Sequence, residues 1–79
     1  MGKRERMYEV TVRTRQGRKF DVEVWCACSS PGCLTKAARR ELDVIGVREG
    51  DIVTGSIKLE GVNTRALWSP RDKAWNFSG

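Results

Sequence analysis

Two stretches near the N-terminus alternate apolar and polar residues with a period of two. In the first, Tyr8, Val10, Val12 and Thr14 share one face, and Glu9, Thr11, Arg13 and Arg15 share the other. In the second, Phe20, Val22, Val24, Cys26 and Cys28 repeat the pattern opposite Asp21, Glu23 and Trp25. A strand turns successive side chains to opposite faces, so the alternation predicts two strands, each with one buried face. Gln16-Gly17 between them marks a hairpin. The two apolar sets share a face only if an odd number of residues forms the loop. A loop Arg15-Gln16-Gly17 puts glycine at the left-handed position, but it sets Arg13 opposite Lys19 and Glu9 opposite Glu23. A loop Gln16-Gly17-Arg18 instead pairs Arg13 with Asp21 and Thr11 with Glu23. Facing surface pairs contribute only about 0.2–1 kcal/mol, and a backbone at positive φ is the more demanding requirement. The first register is therefore expected.

The period then changes. Leu34, Ala37, Ala38, Leu42 and Ile45 recur at helical spacing, with Lys36, Arg39, Arg40 and Asp43 on the other side. Ser30 can cap the helix, Pro31 suits the first helical position, and Thr35 is a later alternative cap. Gly46 suits the position after the C-cap. A helix over 31–44 is predicted. After a turn at 47–51, Ile52 to Leu59 reads as a third strand. Gly55 interrupts it and implies a bulge, a bend or a close approach. Gly61-Val62-Asn63 turns the chain into a short fourth strand, Thr64 to Trp68, and Ser69-Pro70-Arg71-Asp72 breaks the pattern. Residues 1–6 read as a flexible polar arm and 69–79 as an aromatic tail. The expected fold is one small α+β domain spanning 1–79, a β-β-α-β-β antiparallel sheet with one helix packed on one face. Leu34, Ala38, Leu42 and Ile45 should meet Val10, Val12, Val22, Val24 and Ile57.

Composition sharpens this picture. The chain has 79 residues, 39% of them hydrophobic. A chain this short buries only about 60% of its surface on folding, so its core needs a staple or a partner. No apolar run approaches the ~20 residues of a membrane span. The N-terminal residues lead into the alternating stretch rather than an apolar signal region, so the cytoplasm is the expected location. The net charge is +5, and all of it lies in residues 1–20, where Lys3, Arg4, Arg6, Arg13, Arg15, Arg18 and Lys19 outnumber Glu5 and Glu9. Residues 21–79 balance eight basic against eight acidic residues. A local positive field attracts phosphates or an acidic protein surface.

Candidate chemistry is sparse. Cys26, Cys28 and Cys33 form a C-x-C-x4-C pattern. Zinc takes four ligands, and with no histidine and no second cysteine pair the fourth would have to be a carboxylate, a water or another chain. Burial as small hydrophobes accounts for Cys26 and Cys28, and no metal or cofactor is expected. Cys33 at the helix N-terminus favours a thiolate, and an odd cysteine count argues against a secreted disulfide scaffold. Ser29 and Ser30 have no histidine to activate them, the acidic residues show no paired spacing, and no Gly-rich phosphate loop is present. A non-enzymatic role is expected.

Trp25 stands on the polar face of the second strand, which is unexpected for a solvated surface. Either the C-terminal tail covers it through Trp75 and Phe77, which is the favoured expectation, or it is a contact residue. An exposed aromatic beside cations suits base stacking and equally a protein–protein hot spot.

The stretch Val47-Arg48-Glu49-Gly50-Asp51-Ile52-Val53-Thr54-Gly55-Ser56-Ile57, closing with Arg65-Ala66-Leu67-Trp68, resembles part of the OB-fold RNA-binding domains of the cold-shock type. There a Gly-Asp turn opens a barrel strand that carries a further Gly, and a last strand follows a short loop. The likeness spans 47–68. The chain departs from it in having two strands before the helix rather than three, and it lacks the aromatic motif of cold-shock strands. The resemblance implies nucleic-acid binding and transfers no individual binding residue.

Two functions therefore fit. The first is a small nucleic-acid-binding accessory protein whose contacts come from Arg13, Arg15, Arg18 and Lys19, with Trp25, Arg39, Arg40 and Trp75 as further candidates. The second is a protein of the kind phages and mobile elements encode, which docks the same basic surface on an acidic face of a larger host machine and inhibits or modulates it. A homodimer through an edge formed by the third and fourth strands is a further expectation.

Overall fold

The computed structural model describes residues 4–78. The elements are β1 (Arg6–Thr14), β2 (Lys19–Cys26), α1 (Pro31–Val44), a single 3-10 turn at Glu49–Asp51, β3 (Ile52–Leu59), β4 (Asn63–Ser69) and β5 (Ala74–Phe77). All five strands form one antiparallel sheet in the order β2-β1-β3-β4-β5. The molecule is α+β, as the hydrophobic patterning implies. No helix among the described residues is long and apolar enough to cross a membrane.

The β1–β2 hairpin takes the register favoured by its turn rather than by its charges. Arg13 faces Lys19, Thr11 faces Asp21, and Glu9 faces Glu23. The loop is Arg15-Gln16-Gly17: Gly17 lies at φ 81° and its N–H donates to the Thr14 carbonyl at 2.9 Å. Only a residue without Cβ adopts that conformation freely, and this requirement outweighs two like-charge pairs on a solvated face. Neighbours soften the electrostatic cost. Lys58 of β3 lies beside Glu9, and the Thr11 hydroxyl donates to the Asp21 carboxylate at 2.6 Å.

The helix spans the predicted residues. The Ser30 hydroxyl accepts from the Cys33 N–H at 3.4 Å, and Pro31 begins the first turn. At the other end Gly46 is left-handed, its N–H donates to the Asp43 carbonyl, and the Val47 N–H reaches the Leu42 carbonyl. These are the two bonds of a Schellman stop, which turns the following hydrophobic residue back onto the helix. Val47 is accordingly buried. Ile45, expected in the core, is 42% exposed because the helix has already ended at Val44. Leu34, Ala38 and Leu42 face the sheet and are fully buried with Val10, Val12, Val24 and Ile57, while Val22 is packed only partly against them.

The C-terminal half departs most from expectation. Within the aromatic tail at 69–79, Ala74–Phe77 forms a fifth strand that the patterning did not indicate, paired to β4 with Trp68 facing Trp75 and Ala66 facing Phe77. The two indoles meet edge to face, with ring centroids 5.1 Å apart and an interplanar angle of 72°. The Trp68 indole N–H donates to the Ile52 carbonyl at 3.1 Å. This packing explains Gly55. A Cβ there would lie 2.9 Å from Cη2 of Trp75 and 3.2 Å from both Cβ of Trp68 and Cγ1 of Val12. Of the three meanings a strand glycine can have, close approach is the one realised.

The sheet order also corrects the expected dimer edge. β3 and β4 are each paired on both sides, so the free edges of the sheet are β2 and β5. The polar N-terminal arm is shorter than 1–6, since β1 begins at Arg6, and residues 1–3 lie outside the described residues.

Candidate nucleic-acid interface

The helix and the aromatic residues other than Trp25 fill one face of the sheet. The other face is open and carries Arg13 from β1, Lys19 from β2, and Thr54 and Ser56 from β3. Thr11, Arg13, Lys19, Thr54 and Ser56 surround a shallow depression of about 360 Å³, with Gly55 and Val12 lining its floor. Arg15 and Arg18 extend the same basic end from the hairpin turn, and the Arg15 N–H is anchored on the Asp51 carbonyl at 3.0 Å. All four cations are exposed. The one ion pair among the described residues joins Arg39 to Glu49 at 2.9 Å, so none of the four is neutralised by a contacting carboxylate. Cations brought together without counter-charges, beside hydroxyl donors and an accessible glycine backbone, offer what a phosphate needs: charge, hydrogen bonds and close approach.

The remaining predicted residues do not join them. Trp25 is 59% exposed, so the C-terminal tail does not cover it; that tail forms β5, on the opposite edge of the sheet. It shares the open face with Lys19 but lies six positions along β2, about 20 Å at the strand rise of ~3.3 Å per residue. Asp21 and Glu23 lie between them on that face. Trp75 is 7% exposed and belongs to the core, which removes it from the surface set. Arg39 and Arg40 are on exposed positions of α1, across the sheet from the open face, and Arg39 is committed to Glu49.

The cysteines do not assemble as a metal-binding set. Cys28 and Cys33 are joined in a disulfide with Cα atoms 6.4 Å apart, which ties the chain after β2 to the first turn of α1. This bond corrects the reading of Cys28 as a buried hydrophobe and removes the Cys33 thiol from titration. Cys26 is free and half-buried, and its thiol donates to the Cys28 carbonyl at 3.1 Å. Among the described residues no three Cys, Asp or Glu side chains are grouped to hold a metal ion.

The groove hydroxyls were missed from the sequence. Thr11 and Ser56 are adjacent only because β1 pairs with β3 across the helical connection, a long-range fact that no local spacing carries. Comparison with protein-family models, with curated proteins and with solved structures finds no match to this chain.

Proposed function

We propose that the protein is a non-enzymatic nucleic-acid-binding accessory protein that grips phosphates with its N-terminal hairpin. The observation that supports this most is the facing of Arg13 and Lys19 across β1 and β2, with Arg15 and Arg18 in the turn and no carboxylate in contact with any of them. Such a cluster is electrostatically unfavourable in the free protein and becomes favourable when polyanion contacts release counterions. The hydroxyls of Thr54 and Ser56 would position the backbone without reading bases. Fluorescence anisotropy with a labelled DNA duplex and a labelled single strand at low salt tests the reading. Saturable binding is expected, with loss in the variant Arg13→Gln, Arg15→Gln, Arg18→Gln, Lys19→Gln. No binding of the unaltered protein at low salt would remove the reading.

A second reading rests on Trp25 and on Leu67, which is 58% exposed on the same face of β4. Exposed large apolar side chains near charges are also the material of protein interfaces, and they favour docking on an acidic face of a larger protein assembly. Co-purification from a nuclease-treated extract separates the two: a protein partner retained without nucleic acid, and lost on Trp25→Ala, supports docking.

A further inference from the structure

Resting on the hairpin as a phosphate-binding surface, we propose that the β4–β5 turn is a second backbone contact and that the partner is a DNA duplex held by both strands across one groove. The sequence shows no excess charge after Phe20, yet the fold moves cations from that neutral stretch to the basic end. β1 ends, β3 begins and β4 ends at the same end of the sheet. Ile52 pairs with Thr14, and Ser56 pairs with Leu67. Continuing the second register to the end of β4 brings Ser69 level with Thr54, so the β4–β5 turn at 70–73 lies at the same end of the sheet as the β1–β2 turn.

Arg71 and Lys73 are both exposed there, and neither contacts a carboxylate. Their turn is held by its own bonds: the Asp72 N–H donates to the Ser69 hydroxyl, which in turn donates to the Asp72 carboxylate, each at 3.3 Å. Lys73 stands at φ 51°, a left-handed position where glycine is the relaxed choice.

The spacing and the charges between the turns decide the kind of partner. The two turns are centred three strand spacings apart in the sheet order, which is about 14 Å at ~4.8 Å per strand. That separation brackets a B-DNA major groove, about 12 Å wide between its backbones. Between the turns lies the 3-10 segment, in which Glu49 is already paired with Arg39 and the Asp51 carboxylate makes no ion pair among the described residues. A single phosphodiester strand running from one turn to the other would have to pass Asp51, whereas two backbones on either side of a groove avoid it.

The test compares the salt dependence of binding for the full chain, its Arg71→Gln, Lys73→Gln variant and its Arg15→Gln, Arg18→Gln variant, on a DNA duplex and on one of its strands alone. Circular dichroism verifies that each variant is folded. The first variant should lower the duplex slope of log K against log salt by about 1.8, or ~0.9 for each phosphate no longer neutralised, and leave the single-strand slope unchanged. The second should lower both slopes. An unchanged duplex slope in the Arg71, Lys73 variant, with the hairpin variant still impaired, would overturn this inference and leave the hairpin reading standing. Equal losses on duplex and single strand would overturn it too, because both turns would then contact one backbone. Failure of the unaltered protein to bind either probe would overturn both.

Discussion

The two hairpins that close the same end of the sheet are built on opposite principles. β1–β2 is long, fully alternating and held in register by a glycine turn, and its outer face accumulates like charges. β4–β5 is short, and its strength lies inside, where Trp68 and Trp75 meet over Gly55. A hairpin whose strands carry their own pattern can tolerate charges on its surface that cost a few tenths of a kcal/mol each. A four-residue strand cannot hold itself in place and depends on one large buried side chain. Stability and binding are thus expected to separate between the hairpins, and substitutions can probe that separation.

The largest effect should come from Trp75→Ala. It removes the side chain that fills the space over Gly55 and should destabilise the protein by about 3–5 kcal/mol, read by urea denaturation. Loss of less than about 1 kcal/mol would mean that β5 is not a structural part of the sheet. Next is the paired substitution Cys28→Ser, Cys33→Ser. The bond closes a short loop between β2 and α1, so removing it should cost about 2 kcal/mol, with a matching loss on treating the unaltered protein with a dithiol. An unchanged midpoint after reduction would show that the bond does not constrain the unfolded chain. Gly17→Ala places a Cβ at φ 81° and should cost about 1 kcal/mol. A neutral result would imply that the turn rearranges to the register in which Arg13 meets Asp21. The smallest effect on folding belongs to Arg13→Gln, Lys19→Gln. Stability should stay within about 0.5 kcal/mol while affinity for polyanions falls, and a loss of stability instead would assign these cations a structural role.

The same contrast explains what could be read from the sequence. Gly17 decided the register of the first hairpin, because its conformational demand is local and exceeds the pairwise charge terms. Ser30, Pro31 and Gly46 delimited the helix for the same reason. β5 escaped because Ala74–Phe77 is too short for a period to register, although Trp75 and Phe77 do alternate with Ala74 and Asn76. The roles of the two tryptophans were inverted as a consequence. Trp75 looked available and is buried, while Trp25 looked covered and is exposed, since sheet order alone determines which edge the tail joins. Ile45 kept the helical spacing but lost its place to Val47 when the Schellman stop turned the chain. Of the basic end, the sequence displayed the four hairpin cations and concealed the groove hydroxyls and the β4–β5 turn, which only strand pairing brings alongside.

The central claim is that the uncompensated cations of the β1–β2 hairpin bind phosphates. Its most direct test is the slope of duplex-binding affinity against salt for the unaltered protein and for the variant with Arg13, Arg15, Arg18 and Lys19 all changed to Gln. Removing four phosphate-binding cations should make the slope shallower by about 3.6, at ~0.9 per phosphate. Equal slopes for the two proteins would contradict the account.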